Sequence, residues 1–282
     1  MGERGLIVLA VAGGYLALCV AIGLWPTRKA SHSAAGFVAG DRTLGPLLMY
    51  FITGATIFSA FTFLGMPGWA ATRGAASFCF VSYGILGFLP FDFVGPRAAR
   101  LGRAHGYVTQ AEMVSARFGS RPLAFLLALI SLIAFVPYLA LQIQGAGVVL
   151  SAVTSGAISQ RWGGALVYAQ VAVYVTTSGV LGVGWTNVFQ GVFMLCLAWG
   201  LGLWLPGELY GGVGEMFERL ATERPELLRA PGLTPGGEPW SWGEYSSSIV
   251  VSMIGFSFWP HLFMKAFSAR DDRTLRRTVV LY

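Results

Sequence analysis

Charged side chains are scarce in this chain of 282 residues. Acidic residues number 13 and basic residues 19, so that charged residues make up only 11% of the sequence, while hydrophobic residues reach 55%. Soluble domains carry about 25% charged residues, and the mean hydropathy here is +0.64. This composition excludes a soluble domain and predicts a polytopic protein embedded in a lipid bilayer.

The small number of acidic residues leaves a formal net charge of +6. Such an excess can indicate a nucleic-acid partner. Here, however, the basic residues lie in short loops between apolar runs and are not interleaved with aromatic residues. We therefore expect no nucleic-acid partner and interpret the basic residues as determinants of membrane topology.

Cysteine and histidine are also few. The three cysteines lie in separate apolar spans, at Cys19, Cys79 and Cys196. The three histidines are far apart in the chain, at His32, His105 and His261. Neither set has the spacing of a disulfide framework or a metal cluster, so we expect neither in this protein.

Carboxylates are nearly absent from the apolar spans. Only Asp92 lies within a span, near its inner end, and no base or nucleophile accompanies it in the sequence. A catalytic site needs such a combination of groups. We predict that the protein is not an enzyme, that it has no catalytic residues, and that it uses no cofactor.

Long apolar runs are what the sequence has in abundance. A crossing helix needs about 20 apolar residues, and hydropathy predicts seven spans: Gly5–Trp25, Gly45–Trp69, Ala75–Val94, Pro122–Val153, Gly164–Leu181, Thr186–Leu205 and Ser247–Phe267. The first run is longer than the core of a signal peptide and is expected to remain as a helix.

The loops between these spans differ in basic content. One side carries thirteen basic residues: Arg28, Lys29, Arg42, Arg97, Arg100, Arg103, Arg117, Arg121, Lys265, Arg270, Arg273, Arg276 and Arg277. The other side carries six: Arg4, Arg73, Arg161, Arg219, Arg224 and Arg229. Basic residues favour the cytoplasmic side, which predicts a multi-pass protein of the cell membrane with its N-terminus outside.

Local sequence patterns predict the form of the loop before the fourth span and of the fourth span itself. Thr109 precedes an amphipathic stretch that ends at Phe118, and Glu112 stands three residues after Thr109, which predicts a capping box and a short interfacial helix. The fourth span is too long for an upright crossing, so we expect it to be tilted, with a kink at Pro137.

The final apolar run, 278–282, is too short to cross a membrane, and we expect the chain to be partial.

The span Gly45–Gly68, GPLLMYFITGATIFSAFTFLGMPG, is interrupted halfway by Thr53, Gly54, Ala55 and Thr56. Unpaired backbone groups are costly in hydrocarbon, so a helix is broken at membrane depth only where it is buried in protein or lines a cavity. The freed carbonyls can hold a cation. The alternative is that Gly54, Thr56 and Ser59 are small residues that allow close helix packing.

Six segments together resemble the sodium:solute symporter family, which includes sodium/proline, sodium/glucose and pantothenate symporters. They are GDRTLGP (40–46), FSAFTFLGMPG (58–68), HGYVTQAEMVSARFG (105–119), PYLALQIQGAG (137–147), GVGWTNVFQG (182–191) and WPHLFMKAFSARD (259–271). They occur in the order of the family and extend over nearly the whole chain.

The resemblance implies an all-α, LeuT-like inverted-repeat fold of five plus five helices, of which this chain holds the first repeat and the start of the second. Residues 1–44 would be an extra N-terminal helix with an inner loop, and 45–210 the first repeat. Residues 211–246 would be an external loop, and 247–282 the first helix of the second repeat.

The resemblance also implies binding residues. Sodium would be held by the backbone carbonyls of Ala55 and Phe58 with Ser59 beside them, while partner hydroxyls would lie beyond Tyr282. Thr53, Gly54 and Thr56 would form the helix break.

The solute would contact Thr62, Tyr138, Phe256 and Pro260. For Tyr138 and Phe256 the alternative is ordinary packing of an aromatic side chain.

Four positions depart from the family pattern. Asn187 and Ile57 stand where relatives carry Asp, which removes negative charge near the cation. Val81 stands where sugar-transporting relatives place Glu, which disfavours sugars. Lys265 stands where relatives often have Arg, and we interpret it as a topology determinant, with a gate ion pair to Asp271 or Asp272 as the alternative.

These features predict a sodium-coupled symporter that takes up a small organic solute by alternating access. The solute classes left open are monocarboxylates, amino acids and pantothenate-like compounds. The alternative is the membrane region of a sensor, built on a transporter-like fold and joined to a signalling domain.

Overall fold

The computed structural model describes residues 3–29, 33–54 and 57–282. Within these ranges the regular structure is helical, apart from two isolated bridges, Leu44 with Ala269 and Leu233 with Pro239. The helices are α1 (Glu3–Leu24), α2 (Ala34–Ala39), α3 (Pro46–Gly54), α4 (Met66–Arg73), α5 (Phe78–Leu86), α6 (Phe88–His105), α7 (Gln110–Phe118), α8 (Arg121–Val153), α9 (Gln160–Tyr210), α10 (Val213–Glu223), α11 (Trp242–Phe258), α12 (Pro260–Lys265) and α13 (Asp272–Leu281).

The long helices are apolar enough to cross a bilayer. Four helical segments of the described chain meet that criterion by length and composition, and five do so if α11 and the segment Pro260–Ser268 are counted as one bent span. Large side chains on them lie exposed: Val11 is 68% exposed, Phe125 71% and Trp199 70%. Such surfaces suit lipid rather than water. The predicted all-α polytopic bundle is thus confirmed, while its division into inverted repeats stays a prediction.

Helix α9 joins two of the predicted spans, 164–181 and 186–205, into one element of 51 residues. A straight helix of that length would extend about 75 Å, against a hydrocarbon core of about 30 Å. Gly179 interrupts it with φ 56° and ψ −147°, a backbone conformation open to glycine but not to residues with a Cβ. The kink divides α9 into two arms, 160–178 and 180–210.

Helix α1 packs along α9 through polar contacts as well as apolar ones. The Gln170 side-chain amide donates to the Leu16 carbonyl at 2.9 Å, and the hydroxyls of Thr27 and Ser178 lie 2.7 Å apart. Interhelical hydrogen bonds of this kind hold membrane helices together where lipid supplies no hydrophobic driving force.

Helix α7 begins as its sequence predicts. The Thr109 hydroxyl accepts the Glu112 N–H, and the Glu112 carboxylate accepts the Thr109 N–H at 3.0 Å, so both halves of the capping box are present. Helix α8 then runs unbroken through Pro137.

The buried core lies where α3, α6, α12 and the start of α13 meet. Its large members are almost wholly shielded, namely Leu44, Met49, Ile52, Phe88, Phe91, Leu262, Phe263, Phe267 and Leu275. This cluster packs against the short helix α3 on several sides.

The connection into α13 carries two acidic residues with defined partners. The Asp272 carboxylate pairs with Arg103 at 2.5 Å and with Arg100 at 3.5 Å. The Asp271 carboxylate caps α13 by accepting the Thr274 N–H at 2.7 Å, and this hydrogen bond holds the pKa of Asp271 below its usual range. The ion pair ties the end of α6 to the start of α13.

The segment 213–241 is folded rather than a simple solvated loop. Leu227 is buried against Gly74, the Leu233 N–H donates to the Arg73 carbonyl at 3.1 Å, and the Arg73 guanidinium lies 3.6 Å from the centre of the Trp69 ring. The segment therefore packs on the end of α4.

Close packing between α8 and α9 leads to a stability prediction. A Cβ on Gly147 would overlap the Gln160 carbonyl, whereas a Cβ on Gly200 would meet nothing within 4 Å. We expect Gly147→Ala to lower the free energy of unfolding by about 1–3 kcal/mol and Gly200→Ala, which adds a methyl group in open space within a helix, not to lower it. Thermal denaturation of the complete gene product in detergent measures both, and equal melting temperatures would contradict this packing.

Candidate functional site

The first broken helix joins α3 to α4. Helix α3 ends at Gly54, residues 57–59 form a turn, and a π-helical segment, Phe61–Gly65, leads into α4. Thr53 and Gly54, predicted at the break, lie buried at the end of α3. The other two residues of the predicted break, Ala55 and Thr56, lie outside the described residues.

Backbone groups at this break find partners locally. The Gly54 carbonyl accepts the N–H groups of Ile57 at 2.7 Å and Phe58 at 2.9 Å. The Thr62 hydroxyl donates to the Ile57 carbonyl. These contacts replace the helical hydrogen bonds that the break removes, as an apolar environment requires.

Helix α8 supplies one further partner. The Ala60 N–H donates to Oε1 of Gln142 at 2.9 Å. Gln142 therefore caps the second half of the broken helix from a neighbouring span. Sequence reasoning missed this residue.

A second broken helix lies between α11 and α12. Helix α11 ends at Phe258, Trp259 leaves the helical conformation with ψ 124°, and α12 begins at Pro260 after a bend of 42°. The predicted span over 247–267 is therefore helical on both sides of Trp259 but bent there, a break that the hydropathy alone did not predict. Proline removes a backbone donor and keeps the preceding residue out of the helical region, so Pro260 was the signal for this break.

A cavity of about 370 Å³ lies between the two breaks. Four elements line it: the first broken helix, α5, α8 and the second broken helix. It brings together four of the predicted residues, Ser59, Thr62, Tyr138 and Phe256. Pro260 does not line the cavity but stands beside Trp259, which does. The volume is in the range of small-molecule sites.

The walls of this cavity are aromatic and uncharged. Six aromatic side chains line it, Phe61, Phe80, Tyr83, Tyr138, Phe256 and Trp259, and its described lining includes no Asp, Glu, Lys or Arg. The ring of His261 lies 5.4 Å from that of Tyr138 and 5.9 Å from that of Trp259.

Three polar side chains of this lining carry buried atoms without a hydrogen-bond partner among the described residues. These atoms are Nε2 of Gln142, Nε1 of Trp259 and both ring nitrogens of His261. Buried polar atoms are normally paired, which makes the three residues candidates for contact with a ligand. None of them was predicted as a site residue.

Two of the residues predicted for sodium, Phe58 and Ser59, are neighbours in the turn and face different cavities, while Ala55 lies outside the described residues. Ser59 lines the large cavity, and its hydroxyl is 3.5 Å from that of Thr62. Phe58 lines a second cavity of about 130 Å³, together with Asn187 of α9.

Lys265 makes a contact that neither of its two interpretations included, and its role as a topology determinant stays a prediction. Its ammonium donates to the carbonyl of Ile52 in the last turn of α3, while Asp271 and Asp272, the proposed gate partners, bind other groups. A positive charge at a helix C-terminus is favoured by the helix dipole. The carbonyl of Tyr50, two residues before Ile52, accepts the hydroxyl of Tyr282 at 2.5 Å.

A bundle of apolar helices with a cavity enclosed between two broken helices defines a polytopic membrane protein with a site for a small molecule. The model of the sodium:solute symporter family matches residues 37–282. The chain therefore belongs to the sodium:solute symporter family, whose members are transporters rather than enzymes.

Curated relatives agree with this assignment. The chain is 28% identical over 276 residues to the uncharacterized symporter YhjB of Bacillus subtilis, covering 97% of this chain and 55% of the relative. It is 25% identical over 272 residues to the sodium/pantothenate symporter of Escherichia coli, covering 95% and 55%. It is 25% identical over 243 residues to a monocarboxylate transport permease protein of Rhizobium johnstonii, covering 86% and 48%.

The chain thus spans about half the length of the curated relatives that it matches. No solved structure is significantly similar to it.

The cap on the broken helix gives a second stability prediction. Gln142→Leu leaves the Ala60 N–H without its acceptor, and we expect a loss of about 1–3 kcal/mol in the free energy of unfolding. Gln142→Glu keeps an oxygen at this position and should retain most of the stability.

Gln160→Leu, at the exposed start of α9, is the matched control. Thermal denaturation of the complete gene product compares the three variants. A Gln142→Leu protein as stable as the Gln160→Leu control would contradict the capping role.

Proposed function

We propose that the protein is a sodium-coupled secondary active transporter that takes up a small organic solute across the cell membrane by alternating access. The observation that carries this proposal is the cavity between the two broken helices, because backbone is interrupted at membrane depth only where it is buried in protein or lines a cavity. Membership of the family supports the coupling to sodium.

The solute site is the cavity of about 370 Å³. Ser59 and Thr62 line it from the first broken helix, Tyr138 from α8, and Phe256 from α11. Relatives are named for the transport of pantothenate and of monocarboxylates. The uncharged lining disfavours an amino acid, whose ammonium group would need an acidic partner or several carbonyls.

Sodium would bind at the first break. Backbone carbonyls and hydroxyls are the ligands of a hard cation, and Phe58 and Ser59 stand in the turn that follows α3. Backbone carbonyls stay in place after a substitution, whereas the side-chain hydroxyl of Ser59 can be removed by one. The carbonyl of Ala55 is proposed from the family resemblance alone.

The orientation is part of the proposal. The thirteen basic residues on one side against six on the other support an N-terminus outside. The relatives compared above are named symporters or permeases, which favours a transporter over the sensor alternative.

Uptake by the complete gene product in proteoliposomes tests this function. Labelled pyruvate, propionate and pantothenate are offered with an inward sodium gradient, and in parallel with N-methylglucamine in place of sodium. We expect sodium to stimulate uptake of at least one solute. Equal uptake in both media would contradict sodium coupling.

Ser59→Ala tests the sodium site in the same assay. Loss of one hydroxyl ligand should raise the sodium concentration for half-maximal uptake by roughly tenfold, which corresponds to about 1.4 kcal/mol. Ser131→Ala, whose hydroxyl bonds to the Leu127 carbonyl of its own helix, is the control. An unchanged sodium dependence in Ser59→Ala would remove Ser59 from the site.

A further inference from the structure

Gln142 presents only donors to the cavity side. A backbone N–H can donate to an oxygen but not to an amide nitrogen, so the contact with Ala60 at 2.9 Å determines which end of the Gln142 amide is Oε1. The other end is then Nε2, with its two hydrogens, and it has no partner among the described residues. The side chain lines the cavity.

Trp259 presents a second donor. It stands at the break between α11 and α12 and lines the same cavity. Its Nε1–H is buried and unpaired within the described chain, and an indole N–H can donate but never accept. The break thus places a donor from one broken helix near the cap of the other.

His261, two residues after Trp259, adds a third polar group. Its ring lines the cavity, packs at 5.4 Å from the ring of Tyr138, and has both nitrogens buried without a partner among the described residues. The three lining side chains therefore supply at least two N–H donors to the cavity.

From these contacts we propose that the transported solute is an organic acid whose carboxylate is bound by Nε2 of Gln142 and Nε1 of Trp259, with His261 as a third contact. This inference rests on the proposed function and narrows its solute class. A carboxylate offers two oxygens that accept several hydrogen bonds, which matches two donors from different helices. The aromatic walls formed by Phe61, Phe80 and Tyr83 would pack against the rest of the solute.

Binding of the solute would require these three polar side chains to shift, and for Gln142 the shift must leave Oε1 within reach of the Ala60 N–H. Their nitrogens have almost no exposed surface in this structure, so a rotation about side-chain bonds is required to present them. Buried donors without partners are destabilising, and a carboxylate that accepts from them removes this cost.

Aromatic walls also suit a quaternary ammonium solute through cation–π contacts. Two observations favour an acid instead. Unpaired N–H donors gain nothing from a cation, and the described lining includes no carboxylate to pair with one. Choline therefore serves as a counter-probe.

Binding to the purified complete gene product in nanodiscs, with saturating sodium, tests the inference. Two acids, pantothenate and propionate, are each compared with an uncharged partner of similar shape, pantothenol and propionamide, and choline is added to the panel. We expect at least one acid to bind at least roughly tenfold more tightly than its partner.

Two variants connect that preference to the residues. Trp259→Phe keeps an aromatic ring without the donor, and Gln142→Glu keeps the cap on Ala60 while replacing Nε2 with oxygen. Each should weaken binding of the acid by roughly ten- to a hundredfold, the range for a hydrogen bond to a charged group. Binding of the uncharged partner, which offers only neutral acceptors to these donors, should weaken much less, whereas general damage to the fold would weaken the binding of both equally.

Trp199→Phe, on an exposed part of α9, is the matched control and should bind as the unmodified protein does. Equal binding of acids and partners, no binding of either acid, tighter binding of choline, or unaltered binding by both variants would each overturn the inference. Sodium-driven uptake of an uncharged solute would overturn it and leave the proposed function standing. Binding of an acid without sodium-dependent uptake would contradict the proposed function and leave the inference standing.

Discussion

The need to pair every backbone polar group in an apolar medium is the constraint on which this structure depends. Away from the breaks the helices satisfy it within themselves. At the first break, the Gly54 carbonyl accepts two N–H groups of the turn, and Gln142 caps the N–H of Ala60. At the end of α3, Lys265 and Tyr282 donate to carbonyls. Side chains from α8 and α12, together with Tyr282 at the end of α13, therefore hold the interrupted helix in place. Their positions determine the shape of the site between the two breaks.

The same need to pair polar groups determines which solutes suit the cavity. Six aromatic side chains line it and can pack against almost any small organic molecule. Selectivity must come from the few polar groups, and those without a partner among the described residues are two N–H donors and an imidazole. A site made of unpaired donors rejects a solute that cannot accept hydrogen bonds, because those donors would stay unpaired.

Coupling to one sodium ion would be sufficient for useful uptake. One positive charge moving through 100 mV releases about 2.3 kcal/mol, and a tenfold sodium gradient adds about 1.4 kcal/mol. The sum of roughly 3.7 kcal/mol supports an accumulation of the order of 500-fold for an uncharged solute. An acid carrying one negative charge cancels the electrical part, so a single sodium would then concentrate it only about tenfold.

Local sequence rules determined much of the fold. Apolar runs predicted the bundle, Thr109 and Glu112 predicted the start of α7, and the small polar residues near Gly54 predicted where an apolar span is broken. Family motifs led to Ser59, Thr62, Tyr138 and Phe256, which line one cavity. The sequence also held the signal for the second break in Pro260, but the apolar character of the span outweighed it.

Only the tertiary structure decided the roles of Gln142, Trp259 and Lys265, because each depends on contact with another helix. Gln142 meets Ala60 across 82 residues of chain, and no local pattern specifies such a pairing.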